Sequence, residues 1–423
     1  MRTILQAFHI PELRKKIIMI LLLLMAFRAL AAIPIPGIDE SKLQEFFATN
    51  QFFGFLNIFS GGGLSNLSVV MLGVGPYITA TIILQLLTLI FPQLKKAYYE
   101  EGAEGRAKFN RYSRYLTVPL AGLQAYGFLN LLMAQQVVDR LPIATLLGNV
   151  AVITAGSVIL MWIGELISEY KIGNGVSLII LAGIVSDLPQ QIATSIVSYT
   201  PQVLPTYIAF ILLSVAVVCG VVFVNEGERK IPISYAKQVR GTKLYGGVAT
   251  YLPLRVNQAG VIPIIFAISL LLFPQFFAQI ISVASPQLSV TLNSWVSGFF
   301  NNLILYSVFY FTLVVLFTYF YTAVTFDPQE IAKNLQRSGG FIPGTRPGAA
   351  TAEIVKRIVH RTTLFGALFL GLIAILPNLT RMLTGIQVLT IGGTALLIVV
   401  SVALEVMKQI ESQVLMREYE HTG

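Results

Sequence analysis

Long apolar runs, separated by short polar segments, dominate the chain. A bilayer core of about 30 Å needs roughly 20 apolar residues per helix, and ten segments approach that length. These segments are residues 17–33, 68–91, 113–135, 149–167, 176–197, 207–224, 256–280, 302–326, 363–379 and 386–407. The pattern therefore predicts an all-α polytopic membrane protein with ten transmembrane helices.

Composition narrows the possible classes of protein. Of the 423 residues, 55% are hydrophobic and only 12% are charged, whereas soluble proteins carry about 25% charged residues. This balance excludes a water-soluble globular enzyme. It also excludes a disordered chain, because disorder needs low hydrophobicity.

The positive charges predict how the helices are oriented. If the N-terminus is cytosolic, 25 of the 29 Lys and Arg residues fall on the cytosolic side. The opposite side holds only Lys42, Arg140 and Arg381, and Arg28 lies within the first span. Because the cytosolic loops of membrane proteins are enriched in Lys and Arg, both termini are predicted to be cytosolic.

Ten spans divide the chain into two halves, residues 1–200 and 201–423, with five spans each. Because five is odd, the second half starts on the side of the membrane where the first half ends. If the halves share a fold, they must be inverted repeats, and such repeats often enclose a central path.

Three places interrupt the regular helical pattern. Residues 52–67 are apolar but too short to cross a membrane, and the GGG sequence at 61–63 would interrupt any helix. This stretch is expected to fold back at the interface or inside a central cavity, or else to form an external surface loop. The GVGP sequence at 73–76 and Pro263 are expected to kink the second and seventh spans.

Both kinked spans also carry polar residues. These are Thr79, Thr81, Gln85 and Thr88 in the second span, and Asn257, Gln258 and Ser269 in the seventh. Polar side chains are costly against lipid and tend to face a partner helix or water. The two spans could therefore meet along a seam that is held more weakly than an apolar one, or their polar groups could simply bond to neighbouring helices.

The residues offer little that could carry out catalysis. The single cysteine, Cys219, lies inside an apolar run, and the three histidines lie outside such runs. No GxSxG, HExxH or GxxxxGK[ST] pattern occurs, and no catalytic residue, metal site or cofactor is predicted. An intramembrane enzyme would need a nucleophile with a base, paired acids or a metal site.

A secondary transporter built from inverted repeats is the main alternative to a channel. It would share the span count, the symmetry and the broken helices. It should also carry ionisable residues near the membrane midplane. Here Glu165 and Glu169 lie near the cytosolic end of the fourth span, and Arg28 lies near the outer end of the first. Composition alone leaves channel and transporter equally open.

Short motifs follow one another in a fixed order along the chain. They are IPELR at 10–14, IPIPG at 33–37, FSGG at 59–62, PYITA at 76–80, GAEGR at 102–106, GNG at 173–175, AGI at 182–184, NQAGVIP at 257–263, FIPGTRPG at 341–348 and GGT at 392–394. In this order, over about residues 8–410, they resemble the bacterial SecY family, the central subunit of the Sec protein-conducting channel. Each motif alone is weak, but the ordered series is highly specific.

The resemblance implies two five-helix halves that form a clamshell, hinged between the fifth and sixth spans, around an hourglass pore. It implies a plug at about residues 55–67, which includes Phe55, Leu56, Asn57, Ile58, Phe59, Ser60, Gly61, Gly62, Gly63 and Leu64. It also implies a pore ring of six aliphatic residues: Val74, Ile78, Ile180, Ile184, Ile265 and Ile398. The family more often has isoleucine at the position of Val74.

The seam between the second and seventh spans corresponds to the lateral gate of the family. Thr79, Gln85 and Asn257 are expected near this gate. A channel of this kind passes unfolded secretory polypeptides across the bacterial inner membrane and releases hydrophobic segments sideways into the membrane lipids. Signal sequences and preproteins are then its substrates.

Two long loops, residues 225–255 and 327–361, hold 12 of the 25 basic residues on the cytosolic side. In the SecY family such loops bind the ribosome or the motor ATPase SecA, and Arg240, Lys243 and Arg346 are the expected contacts. The family often has two basic residues after Gly241, but this chain has Thr242 and then Lys243. The family also implies SecE as a clamp across the back and SecG as an accessory subunit.

Overall fold

The computed structural model describes residues 8–35, 63–64, 67–91, 93–94, 102–134, 138–197, 201, 204–235, 238–240, 243–245, 250–284, 286–384 and 392–422. Each of the ten predicted spans falls on a helix. These ten are α1 (Pro11–Ala31), α2 (Gly75–Ile90), α3 (Gly102–Ala134), α4 (Ile143–Glu169), α5 (Gly175–Val197), α6 (Leu204–Glu226), α7 (Ile262–Ala284), α9 (Leu303–Thr325), α11 (Ala349–Thr384) and α12 (Gly392–Thr422). Two helices were not predicted: α8 (Pro286–Asn301) and α10 (Pro328–Arg337).

Four helical stretches among the described residues are long and apolar enough to cross a membrane. They are Ile143–Glu169, Tyr207–Glu226, Leu303–Arg337 and Ala349–Thr380. Shorter apolar helices lie at Gly75–Thr88, Gly175–Pro189 and Ile262–Leu271. This part of the chain therefore has the helices of an all-α polytopic membrane protein.

The predicted kinks in the second and seventh spans are wrong, because helices begin at these places instead. Residues 67–74 form turns, and α2 starts at Gly75 with Pro76 in its first turn. Pro263 likewise lies in the first turn of α7. Proline is well tolerated there, since its missing N–H would have no partner within the helix at that position.

The turns before α2 are held against the end of α1. The backbone N–H of Ile35 donates to Leu67 O at 3.0 Å, and that of Val69 donates to Ile33 O at 3.0 Å. Gly73, at a φ of +57°, adopts the left-handed conformation that reverses the chain just before α2. The second span is therefore shorter as a helix than its apolar run predicts.

A large apolar cluster unites the helices. It contains buried residues from α1, α2, α4, α5, α6, α7, α9, α11 and α12. A second cluster packs Leu64, Leu67, Met71 and Leu72 against α3 and α4. Across the predicted division at residue 200, α7 packs against α2 and α3, and α5 packs against α12. That division into two halves remains a prediction.

The turns before α2 approach α4 closely at a glycine. A Cβ added to Gly156 would lie 2.2 Å from Val69 O, whereas one added to Gly148 on the same helix would meet nothing within 4 Å. We expect Gly156→Ala to destabilise the protein by about 1–3 kcal/mol, because the added methyl group overpacks the contact. The melting temperature of the purified protein should fall accordingly. Gly148→Ala should be neutral or slightly stabilising, because alanine favours the helix. Equal melting temperatures for the two variants would show that residues 67–74 do not constrain α4.

A small sheet joins the two long loops. Strand β1 (Glu228–Tyr235) pairs antiparallel with β4 (Thr250–Arg255) and, on its other edge, with β5 (Gly340–Phe341). Beyond the β1–β4 pair, β2 (Gln238–Arg240) and β3 (Lys243–Tyr245) extend the hairpin. The sheet covers a separate apolar cluster of Ile231, Leu254, Ile342, Val355 and Val359. The two loops, residues 225–255 and 327–361, therefore form one folded unit, which we call the loop unit.

Candidate functional site

The six predicted ring residues lie on four helices or at their ends. Val74 is the N-cap of α2, and Ile78 lies in the first turn of that helix. Ile180 and Ile184 are four residues apart on α5, which places them on one helix face. Ile265 lies on α7 and Ile398 on α12. Two of these helices come from each predicted half.

All six side chains are buried, and none is more than 6% exposed. They belong to the same continuous apolar cluster. The neighbouring Ile179 belongs to the same cluster, and a Cβ added to Gly164 of α4 would lie 3.5 Å from its Cδ1 atom. Ile179 therefore packs between α5 and α4.

A cavity of about 450 Å³ adjoins two of the ring residues, Ile78 and Ile265. The rest of its lining is mixed, and its polar members include Tyr77, Thr81, Gln85, Asn110 and Asn174. Arg114 Nε donates to Glu165 Oε1 at 2.8 Å in the same wall. Water can therefore occupy a space next to aliphatic side chains. This arrangement suits a passage that narrows from a water-accessible cavity to an apolar constriction, which we call the waist.

The predicted gate residues take different positions. Thr79 Oγ1 donates to Gly75 O of its own helix at 3.0 Å. Gln85 is buried and lines the cavity, and its Oε1 atom has no partner among the described residues. Asn257 lies in the linker before α7 rather than on the helix, and its Nδ2 donates to Asn225 Oδ1 at 2.8 Å. α7 does pack against α2 and α3, and the assignment of these residues to a gate stays a prediction.

Most of the predicted plug, Phe55–Gly62, lies outside the described residues. Its end is described. Gly63 O accepts hydrogen bonds from Ser68 N at 3.0 Å and Ser68 Oγ at 2.9 Å. Leu64 is 1% exposed and packs in the cluster with α3 and α4. The segment that leads from the predicted plug to α2 is thus anchored to the first half.

The predicted docking residues lie on the loop unit. Arg240 and Lys243 are partners in the register of the β2–β3 hairpin, so they flank its tip. Arg346 is exposed in the turn after β5, and its carbonyl oxygen accepts a hydrogen bond from Thr351 Oγ1 at 3.1 Å. Gly344, at a φ of +83°, and Gly348, at +105°, shape this turn.

The contacts of some polar residues in the spans were not predicted from the sequence. Asp187 on α5 interacts electrostatically with Arg28 on α1. Asn225, at the end of α6, is hydrogen-bonded to Ser401 on α12. Polar residues within or at the end of apolar runs were a usable signal, but their partners are 159 and 176 positions away. Among the described residues, no group of three or more His, Cys, Asp or Glu side chains could hold a metal ion.

Comparison with known proteins identifies the family. Residues 68–407 match the SecY family model. The chain belongs to the SecY family. The protein translocase subunit SecY of Thermus thermophilus is 44% identical over 425 residues, which cover 98% of this chain and 95% of the relative. The SecY resemblance predicted from the ordered motifs is thereby confirmed.

Solved structures show the same fold. A protein-conducting channel superposes with a TM-score of 0.65 at 20% identity, covering 92% of this chain and 90% of that chain. A SecY channel whose plug domain stabilises the closed state and maintains a membrane seal superposes with a TM-score of 0.62 at 19% identity, with the same coverage. This SecY family member therefore has the channel fold that the resemblance implied.

Proposed function

We propose that this chain forms the protein-conducting channel of a bacterial inner membrane. It passes unfolded secretory polypeptides across the membrane and releases hydrophobic segments sideways into lipid. The observation that supports this most is that six aliphatic side chains, from four helices of both predicted halves, are all buried in one apolar cluster, and that two of them line a cavity. The chain acts as a passage and carries out no chemical reaction of its own.

An aliphatic waist suits a passage for many different sequences. Methyl groups cannot replace the hydration shell of an ion, and narrow apolar constrictions close by dewetting. An extended polypeptide fills the same opening with its own side chains. Isoleucine and valine offer no charge or hydrogen bond that would distinguish one passing residue from another. Ions are thereby excluded although the passing sequence varies.

A tight closure matters because the membrane is energised. One elementary charge that crosses a potential of 100 mV releases about 2.3 kcal/mol, so a small leak dissipates energy continuously. The plug at residues 55–67 provides a second closure in the resting channel. Leu64 of this segment packs against α3 and α4, which supports a plug that is anchored to the first half.

The packing of α7 against α2 and α3 supports a route for sideways release between these helices. This contact is the lateral gate of the proposed channel, and Thr79, Gln85 and Asn257 lie on or near its helices. A signal sequence is an apolar helix, and burial of apolar surface contributes roughly 25 cal/mol per Å². A hydrophobic segment therefore leaves the polar cavity for lipid, while a polar segment continues through the pore.

The loop unit is the docking surface for cytosolic partners. Arg240, Lys243 and Arg346 bind the motor ATPase SecA or the ribosome, since acidic protein surfaces and RNA phosphates both suit clustered basic residues. SecE clamps the two halves, residues 1–200 and 201–423, and SecG is an accessory subunit. Arg240 compensates for the basic residue that Thr242 replaces at the hairpin tip.

Reconstitution tests this function directly. The chain is placed in vesicles together with SecE and SecG, and SecA, ATP and a preprotein are added outside. We expect the preprotein to become protected from added protease. A preprotein with a charged residue in the middle of its signal sequence should remain accessible. Uptake of a small solute driven by an ion gradient, without protection of the preprotein, would favour the transporter alternative instead.

A further inference from the structure

Three polar side chains from distant segments meet below the start of α7. Asn225 lies in the last turn of α6, Ser401 lies on α12, and Asn257 lies in the linker between β4 and α7. Asn225 Nδ2 donates to Ser401 Oγ at 2.8 Å, and Asn257 Nδ2 donates to Asn225 Oδ1 at 2.8 Å. We call Asn225, Asn257 and Ser401 the polar latch.

The linker is fixed by backbone contacts as well. Val256 N donates to Gly227 O at 2.8 Å, which closes the base of the hairpin, and Asn257 Nδ2 also donates to Gly260 O at 3.2 Å. A Cβ added to Gly366 of α11 would lie 2.9 Å from Val256 O, so α11 touches the linker backbone. The start of α7 is thus held by α6, α11 and α12 together.

The polar latch connects the two second-half helices that carry ring residues. Ser401 follows Ile398 by less than one turn of α12. Asn257 precedes α7, whose first turns carry Ile265. A change in the hydrogen bonds of the latch would therefore move α7 relative to α12, and with it the spacing between two members of the pore ring.

The latch also lies at the base of the hairpin on both sides. Asn225 comes three residues before β1, and Asn257 comes two residues after β4. A force on the hairpin therefore reaches the Asn225–Asn257 hydrogen bond through short stretches of chain. The predicted docking residues Arg240 and Lys243 flank the far end of the same hairpin.

Two members of the polar latch are buried, Asn225 is partly buried, and the latch has room to rearrange. Asn257 is 7% exposed and Ser401 is 8% exposed. Both line a polar cavity of about 340 Å³. Asn257 Oδ1 has no hydrogen-bond partner among the described residues. A buried amide with an unmet acceptor beside a cavity can exchange partners without disrupting an apolar core.

We propose that the polar latch fixes α7 relative to α12 in the resting channel, and that a cytosolic partner which displaces the hairpin acts on the pore ring by breaking the Asn225–Asn257 bond. This inference rests on the proposed channel function. It assigns Asn257 a positioning role for the gate helix α7, rather than a direct contact with the passing signal sequence.

Single-channel recordings test the latch in the complete complex with SecE and SecG. Asn257→Ala and Ser401→Ala each remove one hydrogen bond of the latch, and we expect the open probability without a partner to rise roughly three- to tenfold. The matched control is Gln258→Ala, which removes the neighbouring amide from the same cavity but touches no latch bond. Its open probability should equal that of the wild type.

The double variant Asn257→Ala/Ser401→Ala sharpens the test. Because Asn225 bridges the two residues, one break already releases the latch, and the double variant should open no more often than the more open single variant. If Asn257→Ala fails to assemble, the open probability of Ser401→Ala tests the latch instead. This variant should assemble because it loses only a hydroxyl group.

Wild-type open probability in assembled Asn257→Ala and Ser401→Ala complexes would overturn the latch. An equal rise in Gln258→Ala would overturn it too, because any polar loss near the cavity would then suffice. The wild-type complex is assayed for preprotein passage in the same vesicles. If it passes preprotein while the latch variants behave as wild type, the latch alone is wrong; if it passes none, the channel function itself fails.

Discussion

Replacing Ile180 with asparagine should give a channel that conducts ions when no polypeptide fills it. The substitution places an amide at a waist otherwise lined by aliphatic side chains. Burying an amide changes a transfer free energy by about 1–3 kcal/mol, which corresponds to a population of the wetted constriction that is larger by a factor of roughly 5 to 150. We expect the conductance of the reconstituted resting complex to rise, and preproteins with defective signal sequences to be accepted in cells.

Ile179→Asn is the matched control for this experiment. Ile179 and Ile180 are adjacent on α5 and both are 0% exposed, so the two substitutions should cost similar stability. Ile179 packs toward Gly164 of α4, however, and is not one of the six proposed ring residues. An equal leak from both variants would mean that any polar group in the core disturbs the channel. That result would contradict the assignment of the six residues as a pore ring.

Charge reversal at Arg346 should have the largest effect on transport driven by the motor. The side chain is exposed in the turn after β5 and carries the expected contact with SecA. Placing like charges together in an interface costs several kcal/mol, so Arg346→Glu should weaken SecA-dependent export more than about tenfold. The variant should still insert and assemble, because the turn is fixed by its backbone and by Gly344 and Gly348.

Arg337→Glu supplies the control for Arg346→Glu. Arg337 is exposed in the same loop and undergoes the same change of charge. Its position in the last turn of α10 makes the substitution cost at most about 1 kcal/mol through the helix dipole. Export measured per assembled complex separates the outcomes. An equal loss in both variants would indicate a general charge effect, and failure of Arg346→Glu to assemble would make Arg346 a structural residue.

The membrane helices could be predicted from the sequence because their signal is a long apolar run, and each run became a helix. The residues at which these helices begin were harder to predict. The sequence predicts kinks at Pro76 and Pro263, although a proline at the second position of a helix is equally compatible with a first turn. The deciding contact, the pairing of Val69 with Ile33 across the end of α1, joins residues 36 positions apart and leaves no mark on the local pattern.

The loop unit was missed because the loops were judged by charge and length alone. Ile231 and Ile233 are buried while Lys230 and Pro232 are exposed, which is the alternation of a strand with one covered face. The covering residues, Val355 and Val359, come from α11. An alternating stretch within a charged loop was therefore the usable signal.

The candidate site depended on the family resemblance in a specific way. Ile180 and Ile179 are equally apolar and equally buried, so nothing in their chemistry tells a ring residue from a packing residue. Only the ordered motifs picked out Ile180. The polar latch could not be found in this way, because its members are ordinary Asn and Ser residues brought together only by the tertiary fold.

The pairing of Ser234 and Tyr235 with Phe341 and Gly340 has a consequence for chimeric proteins. A strand of the first loop forms backbone hydrogen bonds with a strand of the second loop, so each loop depends on the other for its pairing. A transplant of either loop alone from a relative would have to rebuild this pairing with a foreign partner. Species exchanges intended to change the choice of motor or ribosome should therefore succeed only when residues 225–255 and 327–361 are moved as a pair.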